Sequence, residues 1–271
     1  MDVKRFLIGL VIGVVIGSLM FYTPLIYEFC SSCHKGHGVI PDIGYWIPFT
    51  LAGDVKEPGC KSPEEIFKLR KVKARIKEVE TEGVLLKDFL ELVAYGKPEK
   101  IVLMSYDGFL VEIDPREIGN ETLIVPWKNS FRIVSNELSI PSWIKGVTII
   151  ILVCSEGPNI TVGNRVVTIG EILSLEPTLT VYNTRRVMFR WKNITRSVLE
   201  GKYTVGVRLD RVLNYVGAKN YSEIEIIGER SLTIEKSSLW KYFIAQKDLE
   251  IMVVDSLTGE FFKVTTIKIK K

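Results

Sequence analysis

Thr81-Glu-Gly83-Val84-Leu-Leu86-Lys-Asp-Phe-Leu90 returns later in the chain, altered but recognisable, as Thr204-Val-Gly206-Val207-Arg-Leu209-Asp-Arg-Val-Leu213. After the Gly-Val pair, apolar residues recur at helical spacing in both stretches, which predicts an amphipathic helix in each. Working outward, Glu65-Ile66 and Leu69 correspond to Glu171-Ile172 and Leu175. Ahead of these stand Phe49-Thr-Leu-Ala-Gly53-Asp-Val and Ile160-Thr-Val-Gly163-Asn-Arg-Val, each a short strand, a glycine turn and a returning strand. At the far end, Trp143-Ile-Lys145-Gly-Val147-Thr-Ile-Ile-Ile matches Phe261-Phe-Lys263-Val264-Thr-Thr-Ile-Lys-Ile. The shared order carries the inference: hairpin, short helix, longer helix, strand pair and closing strand, twice over. The sequence therefore predicts two tandem α+β, β-rich domains at about residues 47–152 and 155–271, with an insertion near 176–203 in the second.

Between helix and closing strand of the first repeat, Lys100 to Ile113 reads as a hairpin turned by Asp107-Gly108. Lys71-Val-Lys73-Ala-Arg75-Ile-Lys77 alternates with period two, as in a strand with one solvated face, and offers a second use as a docking patch for an acidic partner. The 271 residues carry a net charge of +4, with 25% charged and 46% hydrophobic residues, the balance of a folded globular protein. Nothing in that balance marks a nucleic-acid surface. Only two histidines occur, His34 and His37, so neither a Ser/His/Asp triad nor a Cys/His dyad can form in the tandem domains. No Walker or Rossmann glycine pattern is present, and the tandem domains carry no catalytic centre that the sequence makes readable.

The N-terminal region reads differently. Lys4 and Arg5 precede an uncharged stretch from Phe6 to Tyr27, and Glu28 closes it. As a helix those 22 residues would span about 33 Å, enough for the hydrocarbon layer. Basic residues in front place residues 1–5 in the cytoplasm and the bulk outside, as a single-pass cell-membrane protein. A cleaved signal peptide is the rival reading, but no Ala-x-Ala site follows, which favours an uncleaved signal anchor. Gly9, Gly13 and Gly17 fall on one face and could admit a partner helix. Asn120, Asn159, Asn193 and Asn220 each begin a glycosylation acceptor triplet, four of nine asparagines, which suits an exported glycoprotein. The Ile/Lys/Glu-rich composition leans towards an archaeal source.

Immediately outside the predicted anchor, in a juxtamembrane segment 28–46, stands Cys30-Ser-Ser-Cys33-His34. Two thiols one turn apart can add to the haem vinyl groups, and the adjacent imidazole then reaches the iron as proximal ligand. Two other readings stay open: a disulfide or redox dithiol, and a zinc site recruiting His37 and Cys60. No sixth haem ligand is evident. His37 is too near His34 to reach the opposite face and would instead ligate a neighbouring haem of another cytochrome subunit. Met104, Met188 and Met252 all sit in runs that read as core strand. Cys60 and Cys154 are left over and, outside the cytoplasm, are expected to pair as a disulfide.

The Gly-Val-x-Leu helices, the Asp107-Gly108-Phe hairpin and the terminal strand with Lys263-Val-Thr-Thr-Ile267 resemble the molybdopterin-binding domain of the sulfite oxidase family, and more closely its small stand-alone versions. The resemblance covers residues 47–271 as two copies. In that family a cysteine in an Arg-Cys or Cys-x-x-x-Trp setting upstream of the Gly-Val helix ligates molybdenum. Here Met188-Phe-Arg-Trp191-Lys-Asn-Ile-Thr has no cysteine, and the first copy is too short there. The resemblance thus implies the scaffold without molybdopterin. The sequence as a whole predicts an extracytoplasmic c-type cytochrome subunit that passes electrons between a membrane donor and an exported redox partner. A non-redox interaction protein stapled by a Cys30–Cys33 disulfide is the alternative, and a molybdopterin enzyme the third.

Overall fold

The computed structural model describes residues 46–139, 143–191 and 194–270. The described part is built mainly of β-sheet with four short α-helices among the described residues. None of those helices is long and apolar enough to cross a membrane, and the apolar stretch 6–27 lies outside the described residues.

The repeat is visible element by element. The first half runs β1 (Phe49–Gly53), β2 (Gly59–Lys61), α1 (Pro63–Phe67), β3 (Lys71–Ile76), β4 (Val79–Leu85) and α2 (Leu86–Val93). It continues with β5 (Pro98–Ser105), β6 (Leu110–Ile113), β7 (Leu123–Trp127), β8 (Ser130–Val134) and β9 (Val147–Cys154). In the same order the second half runs β10 (Asn159–Val162), β11 (Arg165–Thr168), α3 (Ile169–Leu173), β12 (Thr178–Trp191), β13 (Ile194–Arg208) and α4 (Leu209–Tyr215). It closes with β14 (Glu223–Gly228), β15 (Ser231–Glu235), β16 (Tyr242–Lys247), β17 (Glu250–Asp255) and β18 (Phe261–Lys270). A 3₁₀ turn stands at the same place in each half, Pro115–Glu117 and Lys236–Lys241.

Strand pairing repeats as well. The first half forms sheets of order β2-β1-β9-β5-β6 and β3-β4-β7-β8. In the second, β11-β10-β18-β14-β15 and β12-β13-β16-β17 follow the same order, but β17 also pairs with β18 and joins them. Each opening strand lies parallel to its closing strand, Thr50 opposite Ile149 and Thr161 opposite Thr266.

Local chemistry explains the recurrence. Ser62 and Thr168 each cap a short helix in a capping box completed by Glu65 and Glu171, which is why the Glu-Ile pairs align. On α2 the buried residues are Leu86, Phe89 and Leu90, and on α4 Leu209, Val212 and Leu213, the same i, i+3, i+4 stripe. The Gly-Val pairs themselves lie in β4 and β13, before the helices begin. A Cβ on Gly83 would stand 2.6 Å from the Ile124 carbonyl oxygen, so the strand must be bare there. The hairpin at Asp107 has a longer loop than a two-residue turn: Met104 pairs with Leu110, and Gly108 alone takes a positive φ. The insertion 176–203 is the extension of the β12–β13 hairpin, paired out to Trp191 and Ile194, whereas only Gly206–Arg208 of β13 meet β16.

Packing does not divide as two tandem domains would. The sheet containing β1, β5 and β9 is covered on both faces. Leu51, Ile101, Leu103, Ile150 and Leu152 join the core under α2, while Ala52, Val102, Ile149 and Ile151 join the core of the second half. This double burial accounts for the unbroken apolar run of β9. The described residues of both halves share one compact body.

Candidate functional site

At the end of β1 the chain makes a turn at Gly53, φ +87°, where a Cβ would lie 2.2 Å from the Leu152 carbonyl oxygen. That turn delivers Asp54, which is fully buried, into the second half. Its Oδ2 accepts from the Cys154 backbone N–H (3.0 Å) and the Thr168 hydroxyl (2.7 Å), and its Oδ1 accepts from the Gly170 N–H (3.0 Å). The carboxylate therefore seats at the start of α3, beside the Thr168 cap. Room for it comes from two glycines: a Cβ on Gly157 or Gly170 would meet a carboxylate oxygen of Asp54 at 2.3 or 2.4 Å. Burial raises the Asp54 pKa above its ordinary value of 3.8, assisted by the nearby Glu171 charge, and outweighs the three hydrogen bonds that favour the anion.

The opposite flank of the same turn is held by Gln246 from β16. Its Oε1 accepts from the Gly53 N–H at 2.7 Å and its Nε2 donates to the Gly53 carbonyl at 2.9 Å. Above Asp54 opens a cleft of about 610 Å³, rimmed by Tyr95, Glu99, Glu156, Asn159 and Glu171. Its rim is acidic, and Cys154 is its thiol. Burial pushes the Cys154 pKa up from 9.0, and the thiol donates to the Asp54 carbonyl oxygen at 3.4 Å. A protonated thiol with that engagement is a poor nucleophile and a poor soft-metal ligand. Among the described residues no group of three or more His, Cys, Asp or Glu is placed to hold a metal ion. The arrangement acts as a clasp between the halves. Neither Asp54 nor Gln246 was marked by the sequence, where Gly53-Asp54 reads only as a turn.

The cysteine expectation needs correction. Cys154 is free and buried, so the Cys60–Cys154 disulfide does not form. In the sheet, β1 lies between β2 and β9, which separates their backbones by two strand spacings, about 9.6 Å, beyond disulfide reach. Cys60 is nevertheless disulfide-bonded. Cys30, Cys33, His34 and His37 lie outside the described residues, as do Gly9, Gly13, Gly17 and Asn193. Asn120, Asn159 and Asn220 are exposed at turns or strand ends. Met252 is a core residue, Met104 packs against the core, and Met188 falls within β12.

Lys71, Lys73 and Arg75 do lie on the solvated face of β3, which is an edge strand. Lys73 and Arg75 are ion-paired with Glu80 (2.9 Å) and Glu78 (2.5 Å), and all four side chains remain exposed. Lysines along an exposed edge also discourage pairing with a foreign strand, which accounts for the run without a partner.

No protein-family profile and no curated protein matches this chain. Among solved structures, the sulfane dehydrogenase SoxCD from Paracoccus pantotrophus is similar at 10% identity and a TM-score of 0.34, over 84% of this chain and 71% of that one. A likeness at that level carries no functional argument.

Proposed function

We propose that this chain is an exported, membrane-anchored electron-transfer subunit whose double β-rich body is a rigid docking platform, with one c-type haem on the Cys30–His34 segment. Support for the platform comes from the clasp. Two buried polar side chains, Asp54 and Gln246, are spent on joining its halves. Support for export comes from the apolar stretch 6–27 with Lys4 and Arg5 ahead of it. In this reading Cys30 and Cys33 carry the thioethers, His34 is the proximal ligand, and the platform receives the redox partner.

One observation favours a second reading, a non-redox interaction protein. Cys60 is bonded to a cysteine other than Cys154, and the sequence's two others are Cys30 and Cys33. A bond to either would leave a single thiol for haem attachment. A molybdopterin enzyme fits poorly, because Cys154 offers only a buried, protonated thiol. A non-reducing peptide map of the full chain separates the first two readings: haem-bearing peptides containing Cys30 and Cys33 support electron transfer, and a Cys60 cross-link to that peptide supports the staple.

A further inference from the structure

We propose that two neighbouring hairpin tips of the first half form a membrane-resting surface, an aromatic patch that settles into the headgroup zone of the bilayer. This rests on the reading of residues 6–27 as a membrane anchor. At the β5–β6 tip Tyr106 is 64% exposed, Phe109 52% and Leu110 38%. A turn made by Asp107 and Gly108 needs none of these apolar side chains. The β7–β8 tip sets Trp127 against Tyr106, the rings stacked with centroids 6.4 Å apart and planes 13° from parallel, so the two tips make one surface. Gly146 lies against both rings, where a Cβ would meet Tyr106 at 2.5 Å and Trp127 at 3.2 Å.

The composition is that of an interfacial belt: Trp and Tyr beside Phe and Leu, with Lys128 stretched over the Trp127 ring at 4.8 Å and Lys145 exposed nearby. Location selects the bilayer as the occupant. The Ile47 N–H donates to the Asn129 carbonyl oxygen at 2.5 Å, so the chain coming from the predicted anchor enters at this very tip. Only residues 28–45 intervene, at most about 60 Å of extended chain. Such a tether holds the patch at high effective concentration near the membrane, so a weak interfacial affinity suffices.

The test uses the full chain in liposomes containing lipids with brominated acyl chains, read by tryptophan emission. All five tryptophans lie at Trp46 or beyond, so the apolar stretch itself is silent. Quenching is expected in the wild type, reduced at least twofold by Trp127→Phe, unchanged by Trp240→Phe, and reduced severalfold by Phe109→Asp/Leu110→Asp with an unchanged melting temperature. Resistance to alkaline carbonate reports the anchor separately. A carbonate-resistant chain without quenching, or with quenching indifferent to Trp127→Phe and to the double variant, overturns the proposal and leaves the anchor standing. Extraction by carbonate overturns the anchor and the proposal with it.

Discussion

Asp54 is a carboxylate kept out of water by the fold and supplied with three donors, and its chemistry can be read in a titration. Because its folded pKa is raised above 3.8, its contribution to stability is fully present below that value and is lost as pH rises through the folded pKa. Asp54→Asn is expected to remove this decline, seen as a flatter dependence of the urea midpoint on pH above 4 than in the wild type. Asp54→Ala leaves the Cys154 and Gly170 N–H groups and the Thr168 hydroxyl without their acceptor, and should cost at least about 2 kcal/mol in urea unfolding at neutral pH. The sequence could not announce this residue. Its partners lie 100 to 116 positions away, and the glycines that make room for it are in the other half. The same distance misled the pairing of Cys154, whose place at the clasp is set by the packing of β9 rather than by any local pattern.

Elements were far more legible, because their causes are local. Capping boxes at Ser62 and Thr168 and apolar stripes on α2 and α4 each leave a mark within a few residues. The loop at Asp107 is opened by the Ser105–Phe109 backbone bond, and the basic run of β3 is a strand with one solvated face, as its period of two predicts. The stripe on α2 has a direct consequence. Phe89 is 4% exposed and meets Phe49 edge-on at 6.5 Å, so Phe89→Ala should cost about 3–5 kcal/mol of unfolding free energy by chemical denaturation. Leu92, on the solvent side of the same helix, is 57% exposed, and Leu92→Ala should change stability by less than about 0.5 kcal/mol.

For the whole molecule the repeat was readable and the union of its halves was not. Shared burial of Ala52, Val102, Ile149 and Ile151 with the second core makes one body of two copies, and Gln246 fixes the register between them. Gln246→Glu would keep the acceptor for the Gly53 N–H but turn a carboxylate oxygen towards the Gly53 carbonyl. A buried, raised-pKa glutamic acid can donate there only when protonated. The variant should therefore lose about 2 kcal/mol or more at pH 8 and recover part of it at pH 5, checked by urea midpoints at both values. If the copies were independent, the same variant would unfold one half without disturbing the other, and two transitions would appear instead of one.

The proposed electron transfer rests on the Cys30–His34 segment, and one measurement bears on that proposal most directly. The full chain, produced in a host with haem-attachment machinery and purified in detergent, is examined by visible spectroscopy before and after dithionite. A Soret band, with a sharp long-wavelength band appearing on reduction and remaining with the protein after acid–acetone extraction, is the predicted result. A colourless protein from that host contradicts the account.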